Sequence, residues 1–244
     1  MRLLNYFKVI VVLLFVVSCS NQGDDDVVTK AAITGSVNLY DEGTTKADNS
    51  GMTVKVEGLN PAISAVTNSN GKYELGDVPF GTYTLVFEKA GYGTFKKAEI
   101  KHIATGLPTV IAETPSLGQV STTQITALSA KTEGGNLSVS VTTNPAGNAG
   151  NKRYIRFFYS GSPTVSAAEY LFASPAMIAQ INPYTLTVSK TDLTGMGFAS
   201  GATVYVRVYG DSFWSNEYTD AISRKKVYPN LNSNAAAAVS FVVP

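Results

Sequence analysis

The chain has 244 residues, of which 44% are hydrophobic and 15% are charged, and its formal net charge at pH 7 is +1. This length accommodates two domains of ordinary size. A near-neutral chain without a basic cluster argues against nucleic acid as a partner. The single cysteine excludes a framework of disulfides, so any core must be held together by packing.

The first eighteen residues have the pattern of a secretory signal. Arg2 and Lys8 give a basic start, residues 9–17 form an unbroken apolar run, and the small residue Ser18 precedes Cys19. The apolar run is too short to span a bilayer, which needs about 20 residues. We therefore predict a signal peptide over residues 1–18. Its removal takes away two basic residues and changes the formal charge from +1 to −1.

Residues 16–19, Val-Val-Ser-Cys, resemble the lipobox of bacterial lipoproteins, although Val16 stands where leucine is commoner. The resemblance implies that Cys19 is acylated and becomes the new N-terminus, which makes a membrane the expected partner. The alternatives are an ordinary secreted protein with one free thiol, or an uncleaved anchor helix. A lone exposed thiol is prone to oxidation outside the cell, which favours lipid attachment.

The residues after Cys19 are polar and acidic, and we predict a flexible tether over residues 19–30. Asp24, Asp25 and Asp26 resemble the export signal of Bacteroidetes-type lipoproteins, which places those proteins on the cell-surface side of the outer membrane. The run can also be a solvated linker, which is compatible with the export signal, and a periplasm-facing lipoprotein is the alternative location. Three aspartates in a flexible tail form no metal site, because nothing holds their oxygens around an ion.

Hydrophobic residues alternate with polar ones from residue 31 onward, a period typical of half-buried strands. Turn-forming Asn, Gly and Pro residues separate the segments at short intervals. About seven short strands in this pattern predict a β-sandwich over residues 31–115. The expected inward side chains are Ile33, Val37, Leu39, Met52, Val54, Val56, Tyr73, Leu75, Tyr83, Leu85 and Phe87.

Three segments of this region carry a family resemblance. Residues 67–75 (TNSNGKYEL), 78–85 (VPFGTYTL) and 91–92 (GY) resemble a carboxypeptidase regulatory-like domain, with Asn68 at a position where that family usually has aspartate. The resemblance implies a transthyretin-like, or carbohydrate-binding-like, sandwich. Domains of this family are accessory modules of surface proteins and are not catalytic by themselves.

Residues 113–118 contain the Pro and Gly of a short linker, and a second alternating series follows over residues 119–244. Its strands are expected around residues 137–141, 153–159, 184–188, 204–208 and 239–243, with about one helical turn over residues 166–172. Residues 193–210, ending in GATVYVRVYG, resemble a fibronectin type III domain as bacterial surface proteins carry it. Val204 occupies the position of that family's corner tyrosine.

No constellation typical of an enzyme appears in the sequence. His102 is the only histidine, and we interpret it as an exposed or edge residue, because no G-x-S-x-G element accompanies it. One histidine without a spare cysteine cannot form a zinc site. Phosphate and dinucleotide loops are absent, so no cofactor is expected. The acidic residues are scattered and none lies in an apolar segment that would raise a carboxyl pKa for sugar hydrolysis.

One loop is a candidate for ligand binding. It contains Tyr209, Asp211, Phe213, Trp214 and Tyr218, and Trp214 is the only tryptophan of the chain. Aromatic faces stack on sugars while polar side chains bond to hydroxyls, and binding residues tend to lie on loops of a rigid scaffold. The alternative is that Trp214 belongs to a core. A further open question is whether Tyr154, Arg156, Phe158, Tyr205, Arg207 and Tyr209 form an exposed surface or are covered.

The sequence thus predicts an all-β protein, with two tandem β-sandwich domains after a lipoprotein signal peptide. The favoured function is that of a non-catalytic, lipid-anchored surface protein in adhesion or accessory glycan binding, with a polysaccharide or a surface protein as partner. The first alternative is a passive spacer or assembly subunit that contacts proteins only. A glycan-acting hydrolase is the least favoured alternative.

Overall fold

The computed structural model describes residues 29–244. The predicted signal peptide, Cys19 and the three aspartates Asp24, Asp25 and Asp26 therefore lie outside the described residues. Within the described part, nineteen strands and one short helix make up the regular structure, which confirms the all-β fold. No helix in residues 29–244 is both long and apolar enough to cross a membrane.

The first unit, residues 30–118, is built from nine strands. They are β1 (Lys30–Ser36), β2 (Asn38–Tyr40), β3 (Thr53–Val56), β4 (Ser64–Val66), β5 (Lys72–Pro79), β6 (Gly81–Glu88), β7 (Phe95–His102), β8 (Thr109–Val110) and β9 (Ser116–Gly118).

Two sheets of the first unit enclose one core. One sheet has the order β5-β1-β8 and the other has the order β4-β3-β6-β7, while β2 and β9 form a parallel pair. Antiparallel registers such as Val54 opposite Phe87 place alternate side chains on the inner face. The predicted inward residues of this region are buried except Tyr83, which is partly buried at the margin of the core. The alternating pattern therefore predicted this core correctly.

The turn between β4 and β5 depends on two residues. The Asn68 side-chain oxygen accepts hydrogen bonds from the backbone N–H groups of Asn70 and Lys72, at 2.9 and 3.1 Å. Gly71 has φ of +76°, and a Cβ atom there would lie 2.1 Å from the carbonyl oxygen of Val37. An amide oxygen serves this turn as a carboxylate would, which explains why Asn68 leaves the family's turn intact.

The second unit, residues 124–242, contains ten strands and the helix. They are β10 (Gln124–Glu133), β11 (Asn136–Asn144), β12 (Arg153–Ser160), β13 (Phe172–Ala173), β14 (Met177–Ala179), β15 (Tyr184–Ser189), α1 (Lys190–Gly195), β16 (Thr203–Asp211), β17 (Tyr218–Thr219), β18 (Lys226–Val227) and β19 (Val239–Val242).

A three-stranded sheet, β10-β11-β15, packs against a five-stranded sheet in the second unit. The larger sheet has the order β13-β12-β16-β19, with β14 also paired to β12. The core between the sheets includes Leu137, Val139 and Val141 from β11 and the inner residues of β12 and β16. Strands β17 and β18 form a separate hairpin.

The helix prediction for residues 166–172 is wrong. The Ser166 hydroxyl accepts from the Glu169 N–H at 3.1 Å, but the segment closes as a turn and continues into β13. The helix forms at α1 instead, where Ser189 and Asp192 make a capping box and Leu193 is buried. Both segments carry a Ser-x-x-acid motif, and burial of an apolar residue on the core distinguishes the one that becomes helical.

The predicted linker is only partly a linker. Residues 116–118 form β9, which pairs in parallel with β2 and so belongs to the first unit's structure. The chain then enters the second unit through residues 119–123, where the Ser121 N–H donates to the Asn230 carbonyl at 2.8 Å. The domain limits 31–115 and 119–244 stay predictions, and the connection between the two units is short and hydrogen-bonded.

Candidate functional site

The outer face of the central strands of the second unit is covered. Arg156 and Phe158 of β12 are 3% and 0% exposed. The rings of Tyr170 and Tyr228 lie on Phe158 at centroid distances of 5.3 and 5.4 Å, and Tyr209 of β16 lies at 5.5 Å. Of the two alternatives left open by the sequence, the covered face is therefore the one that the structure adopts.

Arg156 is the polar centre of this covered face. Its Nε donates to an Asp211 carboxylate oxygen at 2.7 Å, and its Nη1 donates to the Ser174 carbonyl at 2.7 Å. Its Nη2 lies 3.3 Å from a Glu217 carboxylate oxygen. The guanidinium carbon lies 4.2 Å from the centre of the Tyr228 ring, a cation–π geometry. Arg156 thus fastens three later segments of the chain, around Ser174, Glu217 and Tyr228, onto β12.

The two carboxyl groups beside Arg156 differ in their electrostatics. Burial raises the pKa of Asp211, against the opposing effect of the Arg156 guanidinium. Burial acts in the same direction on Glu217, but its hydrogen bond to Lys226 at 2.6 Å and the charge of Arg156 leave the pKa of Glu217 below its usual value. Glu217 is therefore a stable carboxylate near neutral pH, held between two cations.

An open groove of about 730 Å³ lies above Arg156. We call it the aromatic groove. One wall comes from the segment around β13 and β14, and the other comes from the loops around β17 and β18. Its lining combines aromatic rings, aliphatic side chains and polar groups. Its lining residues are Arg156, Tyr170, Leu171, Phe172, Ala173, Ser174, Pro175, Ala176, Ile178, Phe213, Ser215, Glu217, Lys226 and Tyr228.

The candidate loop contributes one exposed ring to the aromatic groove. Phe213 is 40% exposed and packs edge-on against Tyr154 at 5.6 Å and Trp214 at 5.0 Å. Its backbone N–H donates to the Glu42 carbonyl of the first unit at 2.9 Å, which fixes the position of the loop. Phe213 is therefore a rigid, partly solvent-facing ring at the edge of the groove.

The other candidate residues of the loop lie in different environments. Tyr209 is buried beneath the groove, and Asp211 is fully buried with its carboxylate on Arg156, so neither side chain is presented to solvent. Tyr218 is partly buried and contacts Phe95 of the first unit edge-on at 6.4 Å. The structure thus brings together only Phe213 and the neighbouring Ser215 and Glu217 as groove-lining residues of this loop.

Trp214 lies at the junction between the two units. Its ring lies on Tyr40 of β2 at a centroid distance of 5.1 Å. Its indole N–H is buried and has no hydrogen-bond partner within residues 29–244. Its carbonyl accepts from the Asn230 side chain at 2.7 Å. The role of Trp214 in the described chain is therefore contact between the units, and its side chain is not among those lining the aromatic groove.

Two buried asparagines fasten the junction, and we call them the asparagine pair. The Asn216 side-chain oxygen accepts from the Gly118 N–H at 2.8 Å, and its Nδ2 lies 3.0 Å from the carbonyls of Gly93 and Gly118 and from the Asn230 side-chain oxygen. Asn230 in turn accepts from the Gly93 N–H at 3.0 Å and donates to the Gly118 carbonyl at 2.9 Å. The backbone N–H and C=O groups of Gly93 and Gly118 in the first unit therefore all form hydrogen bonds with side chains of the second unit.

A charged pair completes the junction. Arg153 of β12 donates to a Glu42 carboxylate oxygen at 2.8 Å, and the same carboxylate accepts from the N–H and hydroxyl of Thr122 at 2.7 and 2.8 Å. The side chains of Arg153 and Glu42 are 10% and 24% exposed, so this pair is weakly screened by solvent. The junction therefore resembles a domain interior more than a flexible hinge.

Several groove residues were not candidates from the sequence. The wall formed by residues 170–178 has no motif, and it is positioned by pairing of β13 and β14 with β12. Lys226 reaches the groove through the β17–β18 hairpin, which brings it opposite Thr219. The adjacency of Glu217 to Arg156 could have been anticipated only from knowledge that residues 212–235 fold back over the outer face of β12.

His102 is buried, so its interpretation as an exposed residue is wrong, although it does lie at the end of the edge strand β7. Its Nε2 lies 3.0 Å from the Val78 carbonyl and its Nδ1 lies 2.7 Å from the Thr109 hydroxyl. The Phe80 ring covers it at 5.0 Å. Both ring nitrogens are engaged in structure. Among the described residues, no three His, Cys, Asp or Glu side chains are grouped as metal ligands.

Comparison with solved structures gives similarities at low identity. A protein provisionally assigned to carbohydrate binding from Bacteroides uniformis is 16% identical over 88% of this chain and 99% of its own, with a TM-score of 0.32. A DUF3823 family protein from Bacteroides ovatus is 13% identical over 88% and 100%, with a TM-score of 0.31. A cohesin–X–dockerin complex of Acetivibrio cellulolyticus is 28% identical over 36% of this chain and 58% of its own, with a TM-score of 0.30.

No curated protein matches the chain. The family model of the carboxypeptidase regulatory-like domain matches residues 32–113. This range runs from within β1 to just beyond β8 and includes the Asn68 turn and the Val78-Pro79 segment on which the resemblance was based. The family predicted for the first unit is thereby confirmed.

Proposed function

We propose that this protein is a non-catalytic, lipid-anchored cell-surface protein that binds a saccharide in the aromatic groove. The observation that carries the proposal is the composition of the groove, where the exposed face of Phe213 lies near Ser215, Glu217 and Lys226. Sugar rings pack their C–H faces on aromatic rings while their hydroxyls need both donors and acceptors. Lys226 supplies donors and Glu217 supplies acceptors.

The carboxyl groups of this region support a binding role over hydrolysis. A glycosidase needs a proton-donating carboxylic acid in contact with the substrate. Asp211 has a raised pKa, but it is fully buried on Arg156 and out of reach of a bound ligand. Glu217 lines the groove, but Lys226 and Arg156 favour its ionised form. The raised pKa and the accessible position thus belong to different residues.

The rigid junction supports a role in display. The asparagine pair, the Glu42–Arg153 ion pair and the Tyr40–Trp214 contact hold the groove-bearing second unit at a fixed position relative to the first. Lipid attachment at Cys19 and export through Asp24, Asp25 and Asp26 complete the proposal, with the protein on the cell-surface side of the outer membrane. We assign residues 119–244 as a fibronectin type III-like domain, and the three-on-five sheet arrangement supports this assignment.

The binding claim is tested on an oligosaccharide array with the mature acylated protein in detergent micelles. Loss of one stacked ring weakens binding by roughly 3- to 10-fold, so Phe213→Ala should reduce the signal by that factor. Ile222→Ala is the control, because Ile222 is 93% exposed and lies outside the groove. Absence of any saccharide signal, or equal signals for the two variants, would contradict groove binding and favour the passive spacer with protein partners.

The anchoring claim is tested separately by cell fractionation. Cys19→Ser should release the processed protein from the membrane fraction or leave it as an uncleaved precursor, and retention of a processed chain in the membrane would contradict lipid attachment. Replacement of Asp24, Asp25 and Asp26 by alanine should protect the protein from protease added outside intact cells. Continued cleavage of that variant would show that the acidic run is only a linker.

A further inference from the structure

The first described residues, Thr29 and Lys30, lie at one end of the first unit. The Thr29 carbonyl accepts from the Phe80 N–H at 3.2 Å, and Lys30 pairs with Pro79 at the start of β1. His102, at the end of β7, pairs with Gly81. The start of β1, the β5–β6 turn and the loop after β7 therefore lie side by side. We call this end the tip.

The junction with the second unit lies at the other end of the same strands, and from there the β17–β18 hairpin extends along β7, where Arg224 lies 3.9 Å from Glu99. Strand β6 begins at Gly81 in the tip and ends at Glu88, beyond which the Gly91 carbonyl accepts from the Val120 N–H next to the junction. Strands β1 and β2 run from Lys30 in the tip to Tyr40 at Trp214. The residues of β6, at about 3.3 Å each, separate the tip from the junction by roughly 26 Å.

The loop at the tip, residues 103–108, exposes apolar side chains. Ile103 is 61% exposed and Leu107 is 70% exposed. The stretch from Ile100 to Ala112 contains no acidic residue, and its one charged residue is Lys101. Single exposed apolar residues are ordinary on protein surfaces. Ile103 and Leu107, however, lie on the same uncharged loop beside the start of β1, where they form a small apolar patch.

The loop is held in place by its own hydrogen bonds. The Thr105 hydroxyl donates to the Leu107 carbonyl at 3.2 Å and accepts from the Leu107 N–H at 3.4 Å. His102 beneath it is fixed between Val78 and Thr109. Some backbone N–H and C=O groups of the loop therefore already have hydrogen-bond partners other than water. This lowers the free-energy cost of transferring the loop into an apolar layer.

The tether brings a bilayer to this patch. This step rests on the lipid anchor of the proposed function. Thr29 follows Cys19 by ten positions, and ten residues span at most about 35 Å even when fully extended. A lipid held that close keeps the tip at high effective concentration beside the membrane surface. Lys101 adds positive charge beside the patch, which suits the phosphate groups of lipids, whereas Lys30 is already paired with Asp77 at 3.0 Å.

We propose that the tip is a second membrane contact, in which Ile103 and Leu107 enter the interfacial layer of the bilayer that holds the N-terminal lipid. The contact orients the first unit upright and directs the junction away from the membrane. Two weak attachments, a lipid and an apolar loop, then fix an orientation that the lipid alone leaves free.

The test uses the acylated full chain reconstituted in phosphatidylcholine–phosphatidylglycerol vesicles. Cys19 is the only native cysteine and is occupied by lipid, so Leu107→Cys introduces a unique site for an environment-sensitive fluorophore. Val66→Cys is the matched control, since Val66 is an apolar residue of the same unit, 62% exposed, on the edge strand β4. Nitroxide-labelled lipids should quench the fluorophore of the Leu107→Cys variant severalfold more than that of the control variant, and the emission of the Leu107→Cys variant should shift to the blue.

The outcomes separate the two claims. If the protein does not remain with the vesicles, the lipid anchor fails, and the tip contact fails with it. If the protein remains with the vesicles but the fluorophores of the two variants are quenched equally, the anchor stands and the tip contact is refuted. If phosphatidylcholine alone gives the same preferential quenching of the Leu107→Cys variant, the apolar contact is supported and the contribution of Lys101 is refuted.

Discussion

The asparagine pair gives the sharpest prediction for the structure, which concerns Asn216→Ala. The substitution removes one accepted bond, from the Gly118 N–H, and the two bonds that the Nδ2 group can donate. At about 1 kcal/mol per bond, the loss is about 3 kcal/mol, because the partners stay buried. Asn216 also has φ of +53°, where alanine costs about 1 kcal/mol more. The total of about 4 kcal/mol corresponds to a decrease in Tm of roughly 8–16 °C for a chain of this size.

The assay is thermal unfolding followed by far-UV circular dichroism and by the fluorescence of Trp214, which lies on Tyr40 at the junction. The two signals should coincide in the wild type and separate in Asn216→Ala, with fluorescence changing first. Asn216→Gly keeps the backbone conformation and should recover about 1 kcal/mol. Asn148→Ala is the control, because the Asn148 side chain bonds only within its own exposed turn. Coincident transitions at the wild-type Tm in Asn216→Ala would refute the coupling.

Three further predictions concern buried groups and one turn. Burial raises the pKa of Tyr73 to about 12. Between pH 10 and 12 the unfolded chain loses the Tyr73 hydroxyl proton while the folded chain keeps it, so the free energy of unfolding should decrease by up to about 1.4 kcal/mol per pH unit. Urea titrations should show a smaller decrease in Tyr73→Phe, and parallel curves would contradict the assignment. Arg156→Leu should lower the free energy of unfolding by about 3–5 kcal/mol, because it leaves the Asp211 carboxylate buried without its partner. The double variant Arg156→Leu/Asp211→Leu should lose less stability than the single variant. Equal losses of stability in the two variants would contradict the importance of the ion pair. Gly71→Ala should lower the free energy of unfolding by more than the ~1 kcal/mol expected for Gly91→Ala. Both glycines have positive φ, but only a Cβ atom at position 71 would collide with a carbonyl oxygen. Equal chemical-denaturation midpoints for the two variants would exclude this steric effect.

The core of the first unit was predictable because its residues follow a period of two. Residues such as Val54 and Leu75 alternate with polar neighbours, and each is fully buried. The turn at Asn68 and Gly71 was equally readable, since both residues have strong local preferences. The family motif added the order of the segments, and the match over residues 32–113 agrees with it.

The aromatic groove was less predictable because it depends on which surfaces become covered. Arg156 and Phe158 alternate with core residues and so resemble a solvent face, but residues 161–176 and 212–235 fold over them. A single sequence gives no signal for such long irregular coverings. His102 was misjudged for the same reason, because the Phe80 ring that shields it comes from a different strand connection. Long-range packing overrode local pattern in both cases.

The floor of the aromatic groove has a consequence for selectivity. Arg156 is matched by Asp211, and Lys226 is matched by Glu217, so each cation of the groove is already neutralised by a neighbour. A ligand with its own charge would find no unpaired opposite charge in the groove, while an uncharged sugar needs none. The groove should therefore discriminate against uronic and sialic acids, and its affinity for neutral sugars should change little with ionic strength.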